Sequence, residues 1–121
     1  MKKVDFFDQL GFIFFAIAKS DNKIHPDEEI ELSLQLRNRF NFSKEQENDV
    51  IQAFNACKKS KKNSLEIIKD FETFYQQNTD LFPPNIKHQI LDSAFHIASA
   101  HAERNKSELV MLFKLKEVLE S

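Results

Sequence analysis

Glycine and proline are scarce in this sequence, and their scarcity limits what the chain can fold into. Among 121 residues there are one glycine, Gly11, and three prolines. A sandwich or barrel of short strands needs a turn roughly every 8 to 12 residues, and such turns are built largely from Gly, Pro, Asn and Asp. Strong helix formers are plentiful instead. The sequence therefore predicts an all-α fold, and its length predicts a single domain over residues 1–121.

The apolar residues recur at helical spacing and predict about six helices. Helix 1 is expected from Val4 to Ser20, and its apolar side chains cover so much of the circumference that it should be central and mostly buried. The later helices are expected to start at Pro26, at the capping pairs Ser43–Gln46, Asn63–Glu66 and Asn105–Glu108, and at Pro83–Pro84. Helix 2 presents the apolar residues Ile30, Leu32, Leu34 and Leu36, and helix 6 is expected to turn Leu109, Leu112, Phe113 and Leu115 inward.

The two ends of the chain resemble each other at a constant offset of 80 positions. Phe15, Ile17, Ala18 and Glu28 correspond to Phe95, Ile97, Ala98 and Glu108. Each half consists of an apolar helix, a short polar loop and an acidic helix start. Because a repeat that cannot bury its own apolar face must pack on its partner, we expect Ala18 and Ala98 to lie where helices 1 and 5 approach closely. The loops that contain Asp21 and His101 are then expected to lie near each other.

Charge and composition argue against several functional classes. Seventeen basic and nineteen acidic residues leave a formal charge of −2, which gives no support to nucleic-acid binding. The apolar run Leu10–Ala18 has nine residues, whereas a membrane-spanning helix needs roughly 20, so it is interpreted as part of a buried helix. A single cysteine, Cys57, suits a reducing compartment. We expect a cytoplasmic protein with no transmembrane segment and no nucleic-acid partner.

One segment of the first half carries a family resemblance. Ala18–Glu28, with the sequence AKSDNKIHPDE, resembles the TerB-like pattern of Ala, a small residue, Asp, Gly, a polar residue, Ile, three variable positions and Glu. In the second half, Ile97–Ala100 and Glu108 keep the outer frame of that pattern. Two copies of the frame, spread over most of the chain, are more specific than either copy alone.

The TerB-like family is shared by tellurite-resistance proteins and the central domain of a membrane-anchored J-domain co-chaperone. The resemblance implies an all-helical domain with internal two-fold character. It also implies a binding or scaffold module for a protein partner, in a stress-response or membrane-associated assembly. Members of the family often have an acidic, metal-associated pocket.

Carboxylates near the two loops are the candidate ligands for such a metal. Asp21, Asp27, Glu28 and Glu108 would supply oxygen ligands to a hard divalent cation if the two halves pack together. His101 stands where the pattern has its second Asp, so one anionic ligand is lost and only weak binding is expected. The alternative is helix capping, because Asp27 and Glu28 fall in a first helical turn and Glu108 completes a capping pair.

Two further groups of residues have a functional and a structural interpretation. His88, Asp92 and His96 recur every four residues on helix 5 and would hold zinc with a fourth ligand from elsewhere, or else form a solvated polar face. The lysine-rich run Lys58–Lys62 would dock an acidic partner or a phosphate-rich surface, or else serve as a solvated connector.

No nucleophile elbow, phosphate-binding glycine loop or zincin motif is present in the sequence. We therefore predict a non-enzymatic interaction module without a firmly indicated cofactor. The first alternative is a protein that binds or senses divalent metal through the acidic loops. The second is an enzyme that uses His25 or His101 as a base. The sequence identifies neither the partner nor the oligomeric state.

Overall fold

The computed structural model describes residues 3–18, 26–59, 63–99 and 106–120. Within these ranges the chain forms six α-helices, a single 3₁₀ turn over Thr79–Leu81 and no strands. The helices are α1 Lys3–Ala18, α2 Pro26–Asn38, α3 Lys44–Cys57, α4 Ser64–Gln77, α5 Pro84–Ser99 and α6 Lys106–Glu120. The predicted all-α fold is confirmed. Ser20, the predicted end of helix 1, lies outside the described residues.

Local capping explains where α3 and α4 begin. The backbone N–H of Gln46 donates to Ser43 Oγ over 3.2 Å, and the backbone N–H of Ser43 donates to Gln46 Oε1 over 3.0 Å. At the start of α4, the backbone N–H of Glu66 donates to Asn63 Oδ1 over 2.9 Å. These bonds satisfy N–H groups that a helix start leaves without partners. Both capping predictions are confirmed, whereas Asn105 of the third pair lies outside the described part of the chain.

Helix α1 is the central element of the bundle. It packs against α3, α4, α5 and α6, and Leu10, Ile13 and Phe14 are fully buried along it. The ring of Phe15 meets that of Phe54 on α3 edge to face, with centroids 5.5 Å apart. Aromatic pairs prefer this arrangement, which adds to the free energy gained from burying their area. The expectation of a mostly buried first helix is confirmed.

The first helices of the two halves bury equivalent positions. Leu10, Ile13, Phe14, Ile17 and Ala18 on α1 correspond at the offset of 80 to Ile90, Ser93, Ala94, Ile97 and Ala98 on α5, and all ten are fully buried. The two helices also pack against each other. Burial of both Ala18 and Ala98 agrees with the expected close approach of α1 and α5.

The second helices of the two halves correspond at an offset of 79 instead. Leu32 and Leu36 on α2 are buried, as are Met111 and Leu115 on α6. Ile30 and Leu34 are exposed, as are Leu109 and Phe113. At this offset Glu108 corresponds to Glu29 rather than Glu28.

The prediction that Leu109 and Phe113 face the core is therefore wrong, and Ile30 and Leu34 on α2 face outward in the same way. Successive residues of an α-helix are rotated by about 100°, so residues two positions apart lie on nearly opposite sides. Ile30 cannot share the buried side of Leu32 for this reason, and Leu109 cannot share that of Met111.

None of the helices in the described ranges combines the length and the apolar character that crossing a membrane requires.

Candidate functional site

The predicted metal ligands fall largely where the structure gives no side chains. Asp21 and His101 lie outside the described residues. Asp27 and Glu28 belong to the first turn of α2, and Glu108 belongs to the first turn of α6. These backbone positions are the ones that the capping interpretation requires. Convergence of the five predicted ligands on a cation stays a prediction. Among the residues with described side chains, no cluster of three or more His, Cys, Asp or Glu could hold a metal ion.

The polar stripe on α5 is divided between two different environments. His88 Nε2 lies 3.2 Å from Asp92 Oδ2, while the ring of His96 packs edge to face against Phe95 with centroids 6.1 Å apart. Asp92 also accepts a hydrogen bond of 3.2 Å from Nη1 of Arg39, which follows α2. His88 and His96 are exposed, in agreement with the interpretation of a solvated polar face, and the partly exposed carboxylate of Asp92 also joins α5 to the end of α2. As arranged, the three residues do not form a zinc site.

A chain of polar side chains continues from Asp92 along α2. Arg39 Nε donates to Gln35 Oε1 over 2.7 Å, and Gln35 Nε2 donates to Glu31 Oε2 over 2.7 Å. Gln89 on α5 adds a bond of 3.3 Å from its Nε2 to the backbone carbonyl of Arg39. Sequence reasoning missed this network, although the spacing of four residues from Glu31 through Gln35 to Arg39 on one side of α2 was the available signal. The network fixes the side of α2 that faces α5.

A second contact joins α2 to α3. The Nε–H of Arg37 donates to both carboxylate oxygens of Glu47, each 3.1 Å away. Glu47 is buried although charged, whereas about two thirds of the Arg37 side chain is exposed. The hydrogen bond to Glu47, together with its negative charge, raises the pKa of Arg37 above its ordinary value. The guanidinium of Arg37 therefore compensates the negative charge that Glu47 buries on α3.

The lysine-rich run begins with a lysine that already has a partner. Lys58 Nζ lies 2.5 Å from Glu29 Oε1, which links the end of α3 to the first turns of α2. Lys59 is exposed, and residues 60–62 lie outside the described ranges. The structure therefore assigns Lys58 a role in joining two helices, and docking of an acidic partner by the run stays a prediction.

With α2 fixed on two sides, its remaining side carries apolar residues into solvent. Ile30 is 60% exposed and Leu34 is 42% exposed, and we call this pair the α2 outer face. On α6, Leu109 is 36% exposed, Val110 46% and Phe113 63%, and we call these three the α6 outer face. Seven large apolar side chains are exposed in the described part of the chain, and five of them belong to these two faces. The outer faces are therefore the candidate functional site.

Comparison with known protein families gives a match over most of the chain. The family model described as tellurite resistance protein TerB matches residues 9–120, which is nearly the whole chain. Neither the curated proteins nor the solved structures contain a match to the chain. The family match agrees with the all-helical architecture and with the resemblance of Ala18–Glu28 to the family pattern. The chain belongs to the TerB family.

Proposed function

We propose that this TerB-family chain is a non-enzymatic protein-interaction or scaffold module whose partners dock on the outer faces of α2 and α6. The observation that supports the proposal is the exposure of Ile30 and Leu34 on one helix and of Leu109, Val110 and Phe113 on another. In each helix these residues lie opposite the side that packs into the core. A helix that is apolar on both sides is normally covered on both sides.

Repetition distinguishes these faces from scattered surface residues. Single exposed apolar side chains are normal on any protein surface. Here Ile30 and Leu34 are spaced by four residues, so they are neighbours on the helix surface, and Leu109 and Phe113 repeat that spacing 79 positions later. Phe113 alone leaves on the order of 100 Å² of ring surface in water. The same exposed pair in both halves of the chain supports a role in binding.

The cellular setting is part of the proposal. The family description concerns tellurite resistance, which favours a stress-response assembly, and the family resemblance adds membrane-associated assemblies as a second setting. We place the protein in the cytoplasm because its single cysteine suits a reducing compartment.

Quantitative co-purification from the source cell tests the proposed function. The parent chain is compared with a variant in which Ile30, Leu34, Leu109 and Phe113 are all replaced by Ser. The matched control replaces four exposed residues of α3 by Ser, namely Lys44, Asn48, Gln52 and Asn55. We expect specific partners to be enriched with the parent and the control, and to be lost with the outer-face variant. Equal recovery with all three chains would contradict the proposal.

A further inference from the structure

The α6 outer face differs from the α2 outer face in the charges around it. On α2, the neighbouring charged groups whose side chains are described are engaged: Arg37 bonds Glu47, Glu29 pairs with Lys58, and Glu31 accepts from Gln35. On α6, Lys114 and Lys116 are exposed, and neither has a hydrogen bond or ion pair with a residue of the described ranges. Of the two outer faces, only that of α6 therefore combines exposed apolar side chains with neighbouring lysines that no described residue engages.

Helix geometry places the two lysines on opposite sides of the apolar stripe. With about 100° of rotation per residue, Leu109, Phe113 and Val110 span one side of α6. Lys116 then lies beyond the Leu109 edge of that stripe, and Lys114 lies beyond the Val110 edge. The stripe ends one turn after Phe113, at the exposed Glu117. The α6 outer face is thus a short apolar ridge with a positive charge along each edge.

The area of this ridge restricts its occupant. From their exposed fractions, its three apolar side chains offer on the order of 300 Å². A stable interface buries about 800 Å² on each partner. A second copy meeting the ridge with its own convex ridge would bury far less than that. A partner that reaches such an area must enclose the flanks of α6, so its binding surface is concave.

Resting on the proposed function, we infer that α6 inserts its outer face into an apolar groove of a different protein, with Asp or Glu residues along both rims of that groove. Phe113, the most exposed of the apolar side chains, is the anchor that fills the groove, and Leu109 packs one turn before it. Lys114 and Lys116 pair with carboxylates on the two rims. These charges direct the orientation and speed of docking more than its affinity.

Photocrosslinking in the source cell tests this inference with the full chain. We replace Phe113 by p-benzoylphenylalanine, and in parallel Leu34 on α2 and Gln52 on α3, which is exposed and polar. Mass spectrometry locates the crosslinked peptide. We expect position 113 to crosslink to one other protein, at a groove with apolar walls and acidic rims, and position 52 to give no such product.

The purified partner is then titrated calorimetrically with the parent, with Phe113→Ala and with Lys114→Glu/Lys116→Glu. We expect each variant to weaken binding at least tenfold. In the lysine variant the loss comes from repulsion between the new glutamates and the acidic rims, and it should shrink as salt is added. All substituted residues are exposed, so unchanged melting curves separate a binding effect from a folding effect.

Other outcomes overturn the inference in distinguishable ways. A crosslink from position 113 to a second copy of the chain, or only to lipid, would show that the occupant is not a grooved protein. A specific protein crosslink from position 34 without one from 113 would refute the role of α6 while leaving the proposed function intact. If neither position gives a specific crosslink, and the outer-face variant co-purifies the same proteins as the parent, then both the inference about α6 and the proposed function are refuted.

Discussion

Gly11 of α1 lies directly against the backbone of α3 at Val50. A Cβ atom placed on Gly11 would be 2.5 Å from the carbonyl oxygen of Val50, 2.8 Å from the backbone nitrogen of Phe54 and 2.7 Å from Cβ of Ala53. Two of these three neighbours are backbone atoms, which cannot rotate away as a flexible side chain would. The single glycine of the chain therefore allows the two helices to approach this closely.

The first prediction is that Gly11→Ala destabilises the fold by about 1–3 kcal/mol, because the added methyl group overpacks the contact between α1 and α3. Alanine gains about 1 kcal/mol in helix propensity, so the net loss should lie in the lower part of that range. Urea denaturation of both proteins measures the difference in the free energy of unfolding. A variant as stable as the parent would show that α3 moves aside at little cost.

A buried hydroxyl on α5 leads to the second prediction. Ser93 is fully buried, and its Oγ has no hydrogen-bond partner within the described ranges. It occupies the position on α5 that corresponds to Ile13 on α1. Burial removes the hydrogen bonds that this hydroxyl makes with water in the unfolded chain, and no bond within the described ranges replaces them. Ser93→Ala should therefore raise the free energy of unfolding by roughly 1 kcal/mol.

Ser64 provides the matched control for Ser93. Its Oγ donates a hydrogen bond of 2.9 Å to the backbone carbonyl of Ala16, which joins the start of α4 to α1. Ser64→Ala should therefore lower the free energy of unfolding by roughly 1 kcal/mol. Guanidinium denaturation of the two variants should give shifts of opposite sign. Loss of stability in both would mean that the Ser93 hydroxyl makes a bond that stabilises the fold.

The third prediction concerns the ion pair between Arg37 and Glu47. Arg37→Ala should lower the melting temperature, because it leaves the buried carboxylate of Glu47 without the cation that compensates it. Arg37→Lys should recover part of the loss, since an ammonium group restores the charge without the Nε–H that contacts both oxygens. Thermal melts followed by circular dichroism give the order. Equal melting temperatures for Arg37→Ala and the parent would show that solvent alone is sufficient to stabilise the negative charge of Glu47.

The pH dependence of this pair follows from the raised pKa of Arg37. A cation whose pKa is higher in the folded than in the unfolded state contributes its stability fully below the unfolded value. That contribution is lost only as the pH rises through the folded pKa. Titration of Arg37 should therefore leave stability unchanged at neutral pH, and the difference between the parent and Arg37→Ala should persist into mildly alkaline solution.

The sequence predicts where helices begin, because capping depends on neighbouring residues. It does not predict which side of a helix is buried, because that depends on packing between helices. Ser43 and Gln46 fix the start of α3 through neighbours within one turn, so the capping pair was sufficient. Along α2, however, Ile30 and Leu32 are both apolar and lie on opposite sides, and only the packing of α2 on α3 and α5 decides which side is buried. Burial of Glu47 was equally hidden, because a carboxylate in a first helical turn ordinarily remains in water.

The candidate site was missed for the same reason. The apolar pattern predicts that Leu109 and Phe113 on α6 face the core, because the pattern alone does not distinguish inward-facing from outward-facing apolar residues. The sequence does contain the conflict, since Leu109, Met111 and Phe113 cannot all face one side of a helix. An excess of apolar residues around one helix is the signal that predicts a second, outward-facing apolar surface.

The fourth prediction is that the purified chain catalyses no hydrolysis of its own. The sequence offers no acid, base and nucleophile that can be assigned to one pocket, and the histidines of the second alternative, His25 and His101, lie outside the described residues. A panel of ester, peptide and phosphate substrates is assayed with the parent and with His25→Ala and His101→Ala. Reproducible turnover that disappears in either variant would overturn the prediction.

The last prediction concerns the acidic loops, where any divalent cation should bind weakly. Affinity for hard cations rises with the number of anionic oxygen ligands, and His101 has replaced one of them. Asp21 and Glu28 remain, but a neutral imidazole favours Zn²⁺ over Ca²⁺. If the five predicted ligands converge, His101→Asp restores the second acid and should strengthen Ca²⁺ or Mg²⁺ binding severalfold.

Calorimetric titration of the parent and of His101→Asp with each metal ion separates the two interpretations of these carboxylates. A third protein, Glu108→Gln, keeps the size of the side chain while removing one predicted charge. It should therefore bind these cations more weakly than the parent does. Tight stoichiometric Ca²⁺ binding by the parent would contradict the expected effect of His101. Absence of heat from every protein and metal would favour helix capping, in which Asp27 and Glu28 stabilise the start of α2 through its positive end.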